Sequence, residues 1–115
     1  MSLLLDIAPQ EAALLHGLLQ RYLPDVSVWA YGSRVKGSAR RYSDLDLVVF
    51  ATPEQRDRVV EFREAADESN LPFLLDVLIW EQLPEAFHRT IEARHVMIQD
   101  AKGGGPNDPH APLAS

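Results

Sequence analysis

Val26-Ser27-Val28-Trp29-Ala30-Tyr31-Gly32-Ser33 and, after a gap of ten residues, Asp44-Leu45-Asp46-Leu47-Val48-Val49-Phe50 decide how this chain folds. The first run is short, β-branched and aromatic, and it stops at a glycine, which predicts a buried strand ending in a tight turn. The second is another apolar run, interrupted by acids. Residues i and i+2 of a strand point to the same face, so Asp44 and Asp46 project together. Their α-carbons would stand about 6.6 Å apart, within reach of one shared ion.

Working outward, Phe73-Leu74-Leu75-Asp76-Val77-Leu78-Ile79-Trp80 reads as a third strand carrying a lone carboxylate. A charge among apolar residues is costly to bury unless a cation pairs with it. If this strand lies beside the second, Asp76 completes a cage of three carboxylates. Hard oxygen donors of that kind suit Mg²⁺ or Mn²⁺ and not zinc. Two such ions, about 3.5–4 Å apart, would stabilise the attacking and leaving oxygens of a displacement at phosphorus.

The turn supplies the complementary half. Gly32 lets backbone N–H groups approach a phosphate with no Cβ in the way, and Ser33 adds a hydroxyl donor. From Arg34 to Arg41 the chain carries Arg34, Lys36, Arg40 and Arg41 without an acid, and Gly37 adds a second flexible point. In a chain of net charge −6 this basic cluster marks a triphosphate cradle. For Arg40 and Arg41 a solvated loop is an equal reading. Gly32 to Gly37 has the glycine spacing of a P-loop, but Ser38 stands where the lysine belongs and Ala39 where the hydroxyl belongs. The P-loop reading fails.

Gly32-Ser33-Arg34, the ten-residue gap and Asp44-Leu45-Asp46-Leu47 resemble the signature of the DNA polymerase β-like nucleotidyltransferase superfamily, and the short chain most resembles its minimal nucleotidyltransferase (MNT) branch. The likeness covers about residues 9 to 99. It implies an α/β (α+β), polymerase β palm-like fold, with helices packed against a small mixed sheet. It also implies catalytic and metal-binding roles for Asp44, Asp46 and Asp76, with Asp76 as general base on the incoming hydroxyl. Gly32, Ser33, Arg34 and Lys36 would bind the nucleotide, with ATP as substrate and two Mg²⁺ ions, or Mn²⁺, as cofactors. Minimal members resemble the antitoxin half of HEPN/MNT pairs, in which AMP is attached to a tyrosine of a helical HEPN ribonuclease. That partner is the leading expectation. The alternatives are a small-molecule nucleotidyltransferase of aminoglycoside type with a separate substrate-binding subunit, and a non-catalytic antitoxin acting by occlusion.

Composition bounds these readings. A chain of 115 residues suffices for one hydrophobic core. Its 46% hydrophobic and 24% charged residues place it among globular chains and away from disordered ones. The absence of cysteine excludes disulfides and thiolate metal sites and fits a reducing cytoplasm. Met1 to Leu5 is too short for a signal peptide, and nothing approaches a membrane span. The negative charge argues against a broad face for extended nucleic acid.

The remaining pattern alternates helices with strands. Pro9 to Tyr22 places Leu15, Leu18, Leu19 and Tyr22 on one helical face. Thr52-Pro53-Glu54-Gln55 is a capped helix start, with Val59, Phe62 and Ala66 inward and Asn70-Leu71-Pro72 as the stop. Pro84 opens a helix with Phe87 and Ile91 inward, and Val96-Met97-Ile98 reads as an edge strand. Trp29 and Trp80 are expected in the core. His16, His88, His95 and His110 have no ligand spacing and read as surface or helix-end residues. The domain is expected to span 1–99, and 100–115, glycine- and proline-rich from Gly103, to be a disordered tail.

Overall fold

A computed structural model of the chain describes residues 5–36 and 44–101, with the side chains of Ser33 and Lys36 left out. Its helices are α1 (Pro9–Tyr22), a single turn α2 (Ser33–Lys36), α3 (Arg56–Asp67) and α4 (Glu85–Ala93). Its strands are β1 (Val28–Tyr31), β2 (Leu45–Val49), β3 (Leu75–Ile79) and β4 (Val96–Gln99). Among the described residues the strands form one mixed sheet in the order β3-β2-β1-β4. β1 runs antiparallel to β2 and β4, and β2 runs parallel to β3. A parallel neighbour needs a crossover, and α3 provides it.

The helix starts follow from local chemistry. Ahead of α1 the Ala8 N–H donates to Glu11 Oε1 at 2.8 Å, and Pro9 occupies the first turn, where its missing N–H costs nothing. Thr52 and Gln55 make the same reciprocal contact, the Thr52 N–H reaching Gln55 Oε1 at 2.8 Å. That segment first forms a 3₁₀ turn, Pro53–Gln55, so the α-helix begins only at Arg56. The strand expected to run through Trp80 stops at Ile79. The Trp80 carbonyl accepts from the Leu83 N–H and lies 2.7 Å from His88 Nε2, which turns the chain into a 3₁₀ turn over Trp80–Gln82.

The two faces of the sheet differ. One packs Val28, Ala30, Leu45, Leu47, Val49 and Val77 against Leu15, Leu19, Val59 and Phe62 of α1 and α3. The other carries Trp29 and Val48 beneath Ile91 of α4, with Phe50 beside them. Here two expectations for histidine change. His95 stacks on Trp29 with ring centroids 3.7 Å apart, and His88 stacks on Trp80 at 3.8 Å. They are half-buried members of the aromatic layer, whereas His16 is exposed as expected.

Gln99 is one of three buried polar or charged residues among those described, with Ser27 and Arg34. Its amide nitrogen donates to the carbonyls of Leu23 and Val26, at 2.6 and 2.9 Å, and so fixes the connection between α1 and β1. Gln99→Leu is expected to destabilise the fold by about 1–3 kcal/mol, because two buried carbonyls lose their donor. Chemical denaturation reads this directly. Asp100 and Ala101, just past the expected boundary at 99, hold on to Ser27 through hydrogen bonds of 3.3 and 2.8 Å. Residues 102–115, expected as the tail, lie outside the described residues.

Candidate active site

The site grows from strand register. Tyr31 on β1 is opposite Asp46 on β2, and Asp46 is opposite Asp76 on β3. Three side chains at one level of adjacent strands share a face, so both acids project beside Tyr31 on the aromatic side of the sheet. Asp46 is half-buried, while Asp76 and Asp44 are exposed. Asp44 stands two residues before Asp46, just ahead of β2.

Gly32 closes the row. It follows β1 directly and has a φ of +82°, the left-handed region where an L side chain is strained. A Cβ there would collide with Asp46 Oδ2 and lie 3.1 Å from Asp46 Cγ. The turn and the carboxylate are therefore built as one unit. Gly32→Ala is expected to displace the Asp46 carboxylate and to lower transfer activity at least about tenfold, about 1.4 kcal/mol of barrier, with the fold retained. Steady-state rates alongside circular dichroism check both halves.

Electrostatics agree with a charge-starved site. Burial raises the pKa of the Asp46 carboxyl above its ordinary value, and the charges of Asp76 and Asp44 raise it further. Burial, Asp46 and Asp76 likewise push the Tyr31 phenol well above its ordinary value, so its hydroxyl keeps its proton. Among the described residues none of the three aspartates is in a salt bridge.

The donor set therefore fits a hard divalent cation: carboxylate oxygens, negative charge without a counter-ion, and a burial penalty that a cation would relieve. Among the described residues, however, no three His, Cys, Asp or Glu side chains gather into a ready metal cage. The expected cage of Asp44, Asp46 and Asp76 is present as a registered pair, with Asp44 near enough for its charge to act on Asp46.

Of the expected nucleotide-binding residues, the structure places Gly32 beside the acids. Ser33 and Lys36 follow it in α2, with only their backbones described. Gly37, Arg40 and Arg41 lie outside the described residues. Arg34 is buried, donates from Nη1 to the Asp6 carbonyl at 2.8 Å, and holds its guanidinium 4.3 Å from the centre of the Phe73 ring. Those contacts make it a clamp between α2, the segment before α1 and the approach to β3. Tyr31 is the residue that sequence reasoning missed. Its place one residue before Gly32, at strand spacing from Trp29, was the available signal.

This fold and this row of acids define a nucleotidyltransferase. Residues 15–102 match the family described as Polymerase beta, Nucleotidyltransferase, and the chain belongs to that family. It is 43% identical over 100 residues to the "Probable protein adenylyltransferase MntA" of Haemophilus influenzae, with 84% of this chain and 85% of that protein covered. Among solved structures it resembles a toxin–antitoxin crystal structure with AMP-PNP, at a TM-score of 0.61 and 15% identity, over 80% of this chain and 75% of that one. It also resembles a chain from a tri-AMPylated Shewanella oneidensis HEPN toxin in complex with its MNT antitoxin. There the TM-score is 0.50 and identity 13%, covering 82% of this chain and 73% of that one. Among the described residues no helix is long and apolar enough to cross a membrane.

Proposed function

We propose that this enzyme is a protein adenylyltransferase that moves AMP from ATP to a tyrosine hydroxyl of a HEPN-family toxin, and so acts as its antitoxin in the cytoplasm. The observation that carries the reading is the pairing of Asp46 with Asp76 at one level of the sheet, against the positive-φ turn at Gly32. The name of the Haemophilus relative and the toxin–antitoxin complexes among the structural neighbours support the acceptor.

The residues divide the work. The Gly32 turn admits the triphosphate against the backbone, and Ser33 and Lys36 add a hydroxyl and a cation to its oxygens. Asp44, Asp46 and Asp76 would hold Mg²⁺ or Mn²⁺, which when bound supplies positive charge to the reacting phosphate. Asp76, the exposed member of the pair, takes the proton from the acceptor hydroxyl. The freed oxygen bonds to the α-phosphorus as the bond to the bridging oxygen breaks, and pyrophosphate leaves with that electron pair. Arg34 enters as a positioning residue that holds the turn, consistent with its bonds to Asp6 and Phe73.

The test is intact-mass spectrometry of a HEPN-family toxin that forms a complex with this chain, after incubation with the chain, Mg²⁺ and each nucleoside triphosphate in turn. A gain of one or more AMP masses with ATP, absent when Asp44 and Asp46 are both alanine, is the expected result. An unmodified partner in a stable, toxin-silencing complex would overturn the transfer reading.

A further inference from the structure

Among the described residues β3 is an edge strand: in the order β3-β2-β1-β4 it has β2 on one side and no described strand on the other. An exposed edge offers a row of N–H and C=O groups to any extended segment laid beside it. Beside it lies a cavity of about 500 Å³, whose lining combines Asp76, Leu78 and Leu83 with Arg56, Val60 and Arg63 of α3. The catalytic row and this cavity therefore meet at Asp76.

The chemistry of the α3 side is specific. Arg56, Val60 and Arg63 recur at helical spacing, so an apolar side chain stands between two cations along one stripe. Val60 is 51% exposed, one of three large hydrophobic residues so exposed among those described. Arg56 Nε is buried and has no hydrogen-bond partner, and that side chain's ion pair with Glu81 is a long one of 3.7 Å between partly exposed groups. Among the described residues Arg63 is in no salt bridge. In a protein of net charge −6, two underused cations flanking an apolar spot select an acidic segment with an apolar residue at its centre.

Building on the transferase reading above, we propose that this groove docks an extended, acidic segment of the acceptor protein as an added strand on β3, and so brings its hydroxyl-bearing side chain to Asp76. Backbone pairing supplies the register, and the Arg56–Val60–Arg63 stripe selects the sequence. Side chains on one face of the added strand would lie level with Asp76 and Leu78, and that face delivers the hydroxyl.

Two measurements test this on the full chain with the same HEPN-family toxin as probe. Val60→Glu and Arg63→Glu are exposed helical substitutions outside the nucleotide site. Each is expected to raise the KM for the acceptor at least about tenfold while leaving ATP affinity unchanged. Hydrogen exchange should slow across Leu75–Ile79 when the complex forms. Unchanged acceptor KM in both variants, with the wild type active, would overturn the groove and leave the transferase reading standing. A wild type that transfers nothing, yet gains protection at β3, would overturn the transferase reading and keep the docking surface. Protection of β3 in the chain alone, rising with its concentration, would assign the edge to a second copy and overturn the proposal.

Discussion

Asp46→Asn is expected to lower nucleotidyl transfer about a thousandfold or more, some 4 kcal/mol of barrier, while leaving the metal-free fold as stable as before or more so. The two halves come from one cause. Asp46 is half-buried in register with Asp76, and both burial and the charges of Asp76 and Asp44 disfavour its ionised form. A carboxyl whose folded pKa lies above its unfolded value binds its proton more tightly when folded. Its contribution to stability is complete below the unfolded value and is lost as pH rises through the folded one. At neutral pH the metal-free native state therefore carries a strained anion that asparagine removes. Magnesium should raise the melting temperature of the wild type at pH 7 more than at an acidic pH, where protonation of the carboxyl competes with the metal. In Asp46→Asn that gain should shrink at both values. Calorimetry across pH with and without Mg²⁺, beside single-turnover rates, measures each part. A variant that keeps its activity would remove Asp46 from the chemistry, and one that melts well below the wild type would remove the strain.

What the sequence disclosed depended on how local each signal is. The Asp44–Asp46 pair follows from the two-residue period of a strand, and the Gly32 turn from the end of an apolar run, so both could be read within a few residues. The alternation of helix and strand was equally local, although Trp80 left its expected strand because its carbonyl bonds to Leu83 and His88. Asp76 was legible only on condition that its strand lay beside β2. The register of a parallel pair is fixed by the core faces of both strands and the crossover through α3, none of which is written near Asp76. The histidines misled for the same reason. His95 finds Trp29 across the sheet face and His88 finds Trp80 at a strand end, contacts that no local spacing encodes.

Arg34 gives the sharpest contrast between position in sequence and position in the fold. An arginine directly after Gly32-Ser33 is read as a phosphate ligand, and among its partners are Asp6, 28 positions earlier, and the ring of Phe73. Its own carbonyl accepts from the Asp6 N–H at 2.8 Å, so backbone and side chain together grip one residue. Arg34→Ala is therefore expected to cost about 2–4 kcal/mol of stability: the Asp6 carbonyl loses a charged donor, and Phe73 loses the cation over its face. Arg34→Lys should recover only part of this, because an ammonium cannot both stack on the ring and hold a fixed donor toward Asp6. A phosphate ligand would behave differently, raising the KM for ATP with the melting temperature unchanged. Denaturation curves and ATP titrations on the two variants separate the roles. The expected pattern is lost stability in both, graded Ala beyond Lys, with activity falling only as far as the turn at Gly32 loosens. A large rise in KM for ATP in a fully stable Arg34→Ala would return this residue to the triphosphate.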